Sequence, residues 1–432
     1  MEVLQRTANR GSISTGGYEI DNSLKFEADN TEYLERDPSS AGDRQKFTTS
    51  MWVKRTELGQ ASTIFGVYPT SSVGDTTVMQ FGFMSDDKFQ LGLQTYYVFN
   101  TTRLFRDTSA WYHIVVAFDT TQSTAANRIK LYVNGIQETA FDVEAYPNQN
   151  HSTGVNFTEP HRIGTLISNS WYFSGYIAEV NHIDGSQLAP TSFGEFDTDS
   201  GIWKPKAFSG SYGTNGFFLD FADAADLGDD ESGNGNDWTE TNITAADQAT
   251  DTPTNNFCTF NAVNMSGNSA KLAEGATFAA STANGAFTTY GTMAPSAGKW
   301  WWEGKIQVFE SGSTYACIGA TTNLAGLPSV SAQLSGGHVI KLAKNQKWVL
   351  NSTGYTYGAT YADADIIPRI KLTKPKASIE PWPVGDPKTV KQTNNIALQQ
   401  VINAAFDGKT YGDGAPTTAI LISTPSEMLA EQ

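Results

Sequence analysis

Three carboxylates alternate in Glu195-Phe196-Asp197-Thr198-Asp199. On a strand, residues two apart share one face. Two carboxyl groups on one wall of a cleft can cleave a glycosidic bond, one as acid and the other as nucleophile or base. That chemistry needs the strand to reach Asp199, but Thr198-Asp199-Ser200-Gly201 has the composition of a turn. A solvated loop is therefore expected, and no catalytic residue is assigned. The histidines His113, His151, His161, His182 and His338 are scattered, without His-Glu-x-x-His spacing. His113 lies in the apolar run Tyr112–Phe118 and is expected to be a hydrogen-bonded core or edge residue. Neither Gly-x-Ser-x-Gly nor a phosphate-binding loop occurs.

Binding chemistry has two candidate locations. Sugar recognition needs aromatic faces that stack on the ring and polar groups that fix its hydroxyls. Tyr96-Tyr97 follows Gln94-Thr95, and Trp171-Tyr172 follows Ser168-Asn169-Ser170. Tyr96, Tyr97, Trp171 and Tyr172 are therefore glycan-binding candidates; the alternative is that one ring of each pair packs into the core. The stretch from Asp229 to Asp237 is dense in oxygen ligands but lacks EF-hand spacing. Asp229, Asp230 and Asp237 are candidate calcium ligands there, against the alternative of a solvated turn. No other cofactor is expected.

The elements that position these residues are read from composition and periodicity. A chain of 432 residues suggests two or three domains. With 39% hydrophobic and 12% aromatic residues it has enough apolar material for real cores. Charged residues are only 17%, and the polarity comes from Asn, Thr, Ser and Gly, which favours β-structure with many turns. A net charge of −16 disfavours nucleic acid and anionic membranes as partners. Two cysteines, Cys258 and Cys317, are too few for a zinc knuckle or a disulfide framework, and whether they pair is open. Met1–Gly17 has no apolar core of a signal peptide, and no apolar run approaches membrane-spanning length. The expectation is a protein made in a cytoplasm, without membrane insertion, that leaves the cell by lysis.

Residues 1–20 read as a polar arm. Short strand candidates follow at even spacing, among them Ser23–Phe26, Phe47–Arg55, Ser62–Val67, Val78–Phe83, Phe89–Leu93, Tyr112–Phe118 and Arg128–Val133. Asn134-Gly135 is a strong two-residue hairpin signal. This is the pattern of an all-β sandwich or barrel, here spanning 21–225. The Gly/Asn/Asp-rich stretch 226–265 reads as a connector, and 266–367 as a second, smaller β-sandwich-like domain. In the latter, the alternation of Trp300-Trp301-Trp302 turns Trp301 away from its neighbours. Residues 368–432 begin with a Pro-rich stretch and contain the helical spacing of Asn395–Phe406, the one helix expected.

The first region resembles the laminin G-like branch of the concanavalin A-like lectin/glucanase superfamily. The resemblance is carried by Phe47-Thr-Thr-Ser-Met-Trp-Val-Lys54, Trp111-Tyr-His-Ile-Val-Val-Ala-Phe-Asp119, Ile129-Lys-Leu-Tyr-Val-Asn-Gly135, Arg162-Ile-Gly164 and Phe173-Ser-Gly-Tyr-Ile-Ala-Glu-Val180. It implies a jelly-roll sandwich with Trp52 and Trp111 filling the core between sheets. It also implies a calcium site in a loop at the rim, as laminin G-like domains often have. Glucanases of the superfamily carry a Glu where this chain has Asp199. The segments Gly194–Asp197, Gly210–Phe221, Ser232–Trp238 and Asp251–Phe257 look like a combination found in structural and fibre proteins of marine bacteriophages. Gly298-Lys-Trp-Trp-Trp-Glu303 and Cys317-Ile-Gly-Ala320 are similar to the first half of a SPRY domain, whose second half is not found. These resemblances imply a non-enzymatic phage fibre or appendage protein at the virion surface, acting as an adhesin for a host-surface polysaccharide. A purely structural virion protein is the alternative, and a glycan hydrolase a further one. Other virion proteins are the expected partners, in a homo-oligomer such as a trimer, with 368–432 wrapping a neighbour.

Overall fold

The computed structural model describes residues 17–68, 78–93, 96–166, 170–266, 270–281 and 288–293, and the backbone of short strands beyond residue 298. The chain divides into two units. One comprises residues up to Asn256 with Asn261–Val263 and Leu272–Phe278, and the other contains most of the remainder. Among the described residues the only helices are three-residue 3-10 turns.

The first unit is a sandwich of two antiparallel sheets. Its strands are β1 (Ser23–Phe26), β2 (Tyr33–Arg36), β3 (Lys46–Arg55), β4 (Ser62–Val67), β5 (Met79–Phe83) and β6 (Lys88–Leu93). There follow β7 (Tyr96–Leu104), β8 (Tyr112–Asp119), β9 (Ile129–Val133), β10 (Ile136–Gln137), β11 (Phe141–Glu144) and β12 (His161–Ile163). The last are β13 (Gly175–Asp184), β14 (Gly194–Phe196), β15 (Trp203–Pro205), β16 (Phe217–Leu219), β17 (Thr239–Thr241) and β18 (Gln248–Ala249). The first sheet runs β10-β9-β8-β3-β13-β1-β18, with β16 also on β13. The second runs β11-β7-β6-β5-β4-β12-β2-β17. All-β jelly-roll architecture is therefore as expected.

The sequence explains these positions. In β9 the order Ile-Lys-Leu-Tyr-Val buries Ile129, Leu131 and Val133 on one face. In β8 all eight residues are buried, because β3 and β9 flank it and both of its faces are covered. Asn134 and Gly135 both have positive φ, 49° and 78°, as a type I′ turn requires, and Ile136 pairs back on Val133. At Gly175, φ is 151° and a Cβ would strike the Lys54 carbonyl, so only glycine lets β13 start this close to β3. Between the sheets, Phe47 stacks on Phe118 at 4.6 Å and Phe65 on Phe81 at 5.3 Å. Each such ring contributes about 1.5–3 kcal/mol by leaving water.

Three expectations are corrected. Trp52 and Trp111 are buried, but not between the sheets. Met51 and Val53 take the inward positions, so alternation turns Trp52 outward, where it clusters with Ile20, Trp111, Tyr176, Ala178 and Trp203. The stretch 226–256 is no free connector: Leu227 and Trp238 enter the main core, β17 pairs with β2, and β18 with β1. Its polar composition hides two apolar anchors and a buried ion pair, Lys54 Nζ to Asp251 at 2.7 Å. Residues 17–20 belong to the sandwich too, since Ile20 is buried on its outer face. In the second unit, Arg369–Thr373 pairs with Lys299–Glu303, and Ser378–Ile379 and Ala430–Glu431 join that sheet. Also in the second unit, Tyr315–Thr321 pairs with Gly337–Ala343. The helix expected at Asn395–Phe406 lies outside the described residues.

Candidate functional site

The carboxylate motif folds as a turn. Glu195 pairs with Lys204 across the β14–β15 hairpin, and the strand ends at Phe196. Asp197 accepts hydrogen bonds from the Ser200 amide (2.9 Å) and hydroxyl (2.9 Å) and from the Asp199 amide (3.1 Å). The Ser200 bonds come first in holding its carboxyl down to about 2, and Lys204 adds to them. Asp197 thus remains an acceptor that closes a loop, and Asp199 lies in that loop.

Three of the histidines, His113, His161 and His182, are structural. His113 is buried and stacks on Trp52 at 4.7 Å; its Nδ1 accepts from the Trp203 indole at 3.0 Å, and its Nε2 lies 2.8 Å from the Ser50 hydroxyl. Burial pushes its pKa down to about 3. His182 lies between the Thr49 hydroxyl and the Asn156 side-chain oxygen Oδ1, 2.9 Å from each. His161 Nε2 accepts from the Asn156 amide at 3.0 Å, which leaves Nδ1–H to donate to the Glu159 carbonyl at 2.7 Å. Asp184 and Asn215 complete this polar knot around Asn156. Nothing in the spacing of these residues announces it.

The oxygen-rich loop is occupied by its own backbone. Asp230 Oδ1 accepts from the amides of Phe218 (2.8 Å) and Ser232 (2.9 Å). Its Oδ2 accepts from the Ser232 hydroxyl (2.8 Å) and the Asn236 amide (2.8 Å). Asp237 Oδ1 accepts from the Asp230 amide at 3.2 Å. Among the described residues no three His, Cys, Asp or Glu side chains are grouped to hold a metal ion, so Asp229, Asp230 and Asp237 do not converge on one position. Oxygen density here serves turn closure.

The aromatic candidates separate. The backbone of Tyr96 and Tyr97 begins β7, opposite Leu93 and Gly92, while their side chains lie outside the described residues. Trp171 is 37% exposed although its backbone is left-handed, with φ 62°. A large residue rarely accepts that conformation, and such strain clusters at functional positions. Its carbonyl accepts from the Thr63 amide at 2.9 Å. Two residues on, Phe173 is buried against Phe26 at 6.3 Å and anchors the turn. Between them Tyr172 is half-buried, its ring 6.3 Å from that of Tyr33. Neither Trp171 nor Tyr172 belongs to the core between the sheets.

These rings border the outer face of the second sheet. Met79, Phe81 and Phe83 point inward on β5, as do Phe89, Leu91 and Leu93 on β6. Gln80, Gly82, Gln90 and Gly92 therefore take the other face. There Gln80 stands opposite Gly66 and Gly92, and Gln90 opposite Gly82 and Asn100. The result is a floor of amides between glycines. Gln90 Oε1 and Asn100 Oδ1 are buried and have no hydrogen-bond partner among the described residues. Further along, Arg162 donates to Glu35 at 2.5 Å, beside Tyr33. The repeat Gln80-Phe-Gly82-Phe and Gln90-Leu-Gly92-Leu was the available sequence signal for this face.

Residues 28–186 match the family model described as the concanavalin A-like lectin/glucanases superfamily. No curated protein matches the chain. Similar solved structures include a Bacteroides ovatus protein for which carbohydrate binding has been suggested, at 15% identity and TM-score 0.34, covering 54% of this chain and 60% of that one. The chain thus spans less than two thirds of that protein's length. A heptameric SAP-like pentraxin of Limulus polyphemus has 17% identity and TM-score 0.29, with 40% and 80% covered. Domain 4 of AbnA, an extracellular arabinanase of Geobacillus stearothermophilus solved with arabinotriose, has 18% identity and TM-score 0.26, with 36% and 67% covered. Over residues 28–186 the chain is thus similar to a laminin G-like domain of the concanavalin A-like lectin/glucanase superfamily.

Proposed function

We propose that the protein is a carbohydrate-binding adhesin of a bacteriophage virion surface, and that it acts without catalysis. One observation carries the binding reading: Trp171 is held at the surface in a left-handed conformation, beside the Tyr172–Tyr33 pair. A flat apolar ring fixed at the rim of a polar sheet face is what stacking on a sugar requires. Tyr172 and Tyr33 offer hydroxyls beside it. The phage setting is supported by the resemblance of segments 194–257 to phage structural and fibre proteins, and a homo-oligomer with other virion proteins as partners goes with it. The absence of catalysis is supported by the turn at Asp197, which gives its carboxylate to backbone amides.

The test is attachment. Purified protein should bind host cells or their surface polysaccharide, and Trp171→Ala should weaken that binding about tenfold with an unchanged circular dichroism spectrum. Equal binding by the variant would remove Trp171 from the site. Incubation with the same polysaccharide should release no reducing sugar; turnover abolished by Glu195→Gln would overturn the non-catalytic reading.

A further inference from the structure

We propose that Tyr18 and Glu179 form a pH-sensitive latch, which holds the strap Gly17–Asn22 on the outer face of the first sheet and releases it as the solution turns alkaline. Glu179 lies in β13 where the register with β3 shifts, and its φ is 52°. The left-handed backbone is costly for a glutamate and aims its side chain at the strap. The residue is 5% exposed. Its Oε1 accepts from the Tyr18 hydroxyl at 2.5 Å, 161 positions away in sequence, while Oε2 is buried with no hydrogen-bond partner among the described residues.

The surroundings favour the neutral acid. Asp220, just after β16, adds like charge, and Tyr212 approaches from the preceding loop with its hydroxyl donated to Asn181 at 2.9 Å. The strap itself carries Glu19 and Asp21. Lys204 of β15 lies near Gly17, but its ammonium is shared by Glu195 and Asp197 at 3.4 Å each. Among the described residues no Lys or Arg forms an ion pair with Glu179. Burial pushes its carboxyl up to about 8, against the pull of the Tyr18 hydroxyl and with help from Asp220.

The strap is also held at Ile20, which is buried in the cluster of Trp52, Trp111, Tyr176, Ala178 and Trp203. Ile20 donates its amide to the Thr254 hydroxyl at 3.0 Å, and that hydroxyl donates back to the Ile20 carbonyl at 2.9 Å. Beside these bonds, a cavity of about 230 Å³ is lined by Asp21, Asn22, Thr250 and Asn255 among others. Releasing the strap exposes Glu179 and returns it to the ordinary carboxylate range. The latched form then keeps a proton that the released form lacks, at every pH from that range up to about 8. Closure is therefore strongest in acid, weakens as pH rises through this window, and weakens no further above it.

Hydrogen exchange of the peptide covering residues 17–22 in the full-length protein, corrected for intrinsic exchange, reads the latch directly. One proton changes the released-to-latched ratio by up to about tenfold per pH unit. Protection at the Ile20 amide should therefore fall by up to about 100-fold between pH 6 and pH 8. In Glu179→Gln, which cannot ionise, it should be flat. A flat wild-type profile, or the same slope in Glu179→Gln, overturns the latch. If Glu179→Gln fails to fold by circular dichroism, Tyr18→Phe decides: protection at pH 6 lowered to the alkaline wild-type value supports the latch, and unchanged protection overturns it.

Discussion

Asp251 lies in the stretch whose composition reads as a connector, and its replacement by alanine probes how firmly that stretch is docked. Its carboxylate accepts from the Lys54 ammonium at 2.7 Å and from the Trp111 indole at 3.0 Å. The Lys54 side chain is 0% exposed and that of Asp251 6%. In Asp251→Ala the ammonium loses its counter-charge while staying buried, with the Asn256 side-chain oxygen at 2.8 Å as a neutral acceptor. Breaking a buried pair from one side costs about 3–5 kcal/mol, and the orphaned indole adds to it. At about 2–4 °C per kcal/mol for a unit of this size, the melting temperature should fall by roughly 6–20 °C. Urea unfolding followed by tryptophan fluorescence measures the loss. Lys54→Met combined with Asp251→Leu should recover most of it, since a hydrophobic pair of similar volume avoids the desolvation cost. A loss below about 0.5 kcal/mol for Asp251→Ala, as is usual at exposed sites, would refute the docked arrangement and restore the connector.

Three further outcomes follow from the same packing. His113, His161 and His182 are buried and neutral, with pKa values pushed below the usual 6.5, chiefly by burial. The unfolded chain binds more protons below pH 6.5, so their contribution is intact above that pH and lost as pH falls towards about 3 to 4. Three such groups give a slope of up to about 4 kcal/mol per pH unit, and equal urea midpoints at pH 7 and pH 5 would contradict it. Gly135→Val should destabilise the sandwich by about 1–3 kcal/mol, because φ there is 78° and a Cβ would overlap the Trp203 ring; calorimetry reads the shift. Trp238→Ala should cost about 3–5 kcal/mol, since its ring packs edge-on to Phe217 at 4.8 Å in the main core. A loss within 0.5 kcal/mol would mean that this segment is not docked.

Much of the sandwich is legible because period-two burial is written in the residues. Ile129-Lys-Leu-Tyr-Val and Asn134-Gly135 specify a strand and its turn without tertiary help. Trp52 shows where such reading stops. Alternation says that it opposes Met51 and Val53, but which face meets the other sheet depends on what covers each side. Leu227 and Trp238 are two apolar residues in polar surroundings, and their burial follows from β17 reaching β2, a pairing some 200 residues apart. Oxygen-rich loops are ambiguous for a physical reason: the carboxylate that would hold calcium is equally good at accepting amides, as Asp230 does. Trp171 was readable as an aromatic beside a polar loop, whereas its exposure and left-handed backbone appear only in the fold. The amide floor of Gln80, Gln90 and Asn100 depends on cross-strand register, and so went unread.

The central claim, that the rim at Trp171 holds a sugar, is tested most directly by titrating host-surface oligosaccharides into the protein while following indole fluorescence or tryptophan side-chain NMR signals. Saturable binding is predicted, with the Trp171 indole among the shifted signals and about tenfold weaker affinity in Trp171→Ala. Saturable binding that leaves Trp171 unshifted and survives its replacement would contradict the claim.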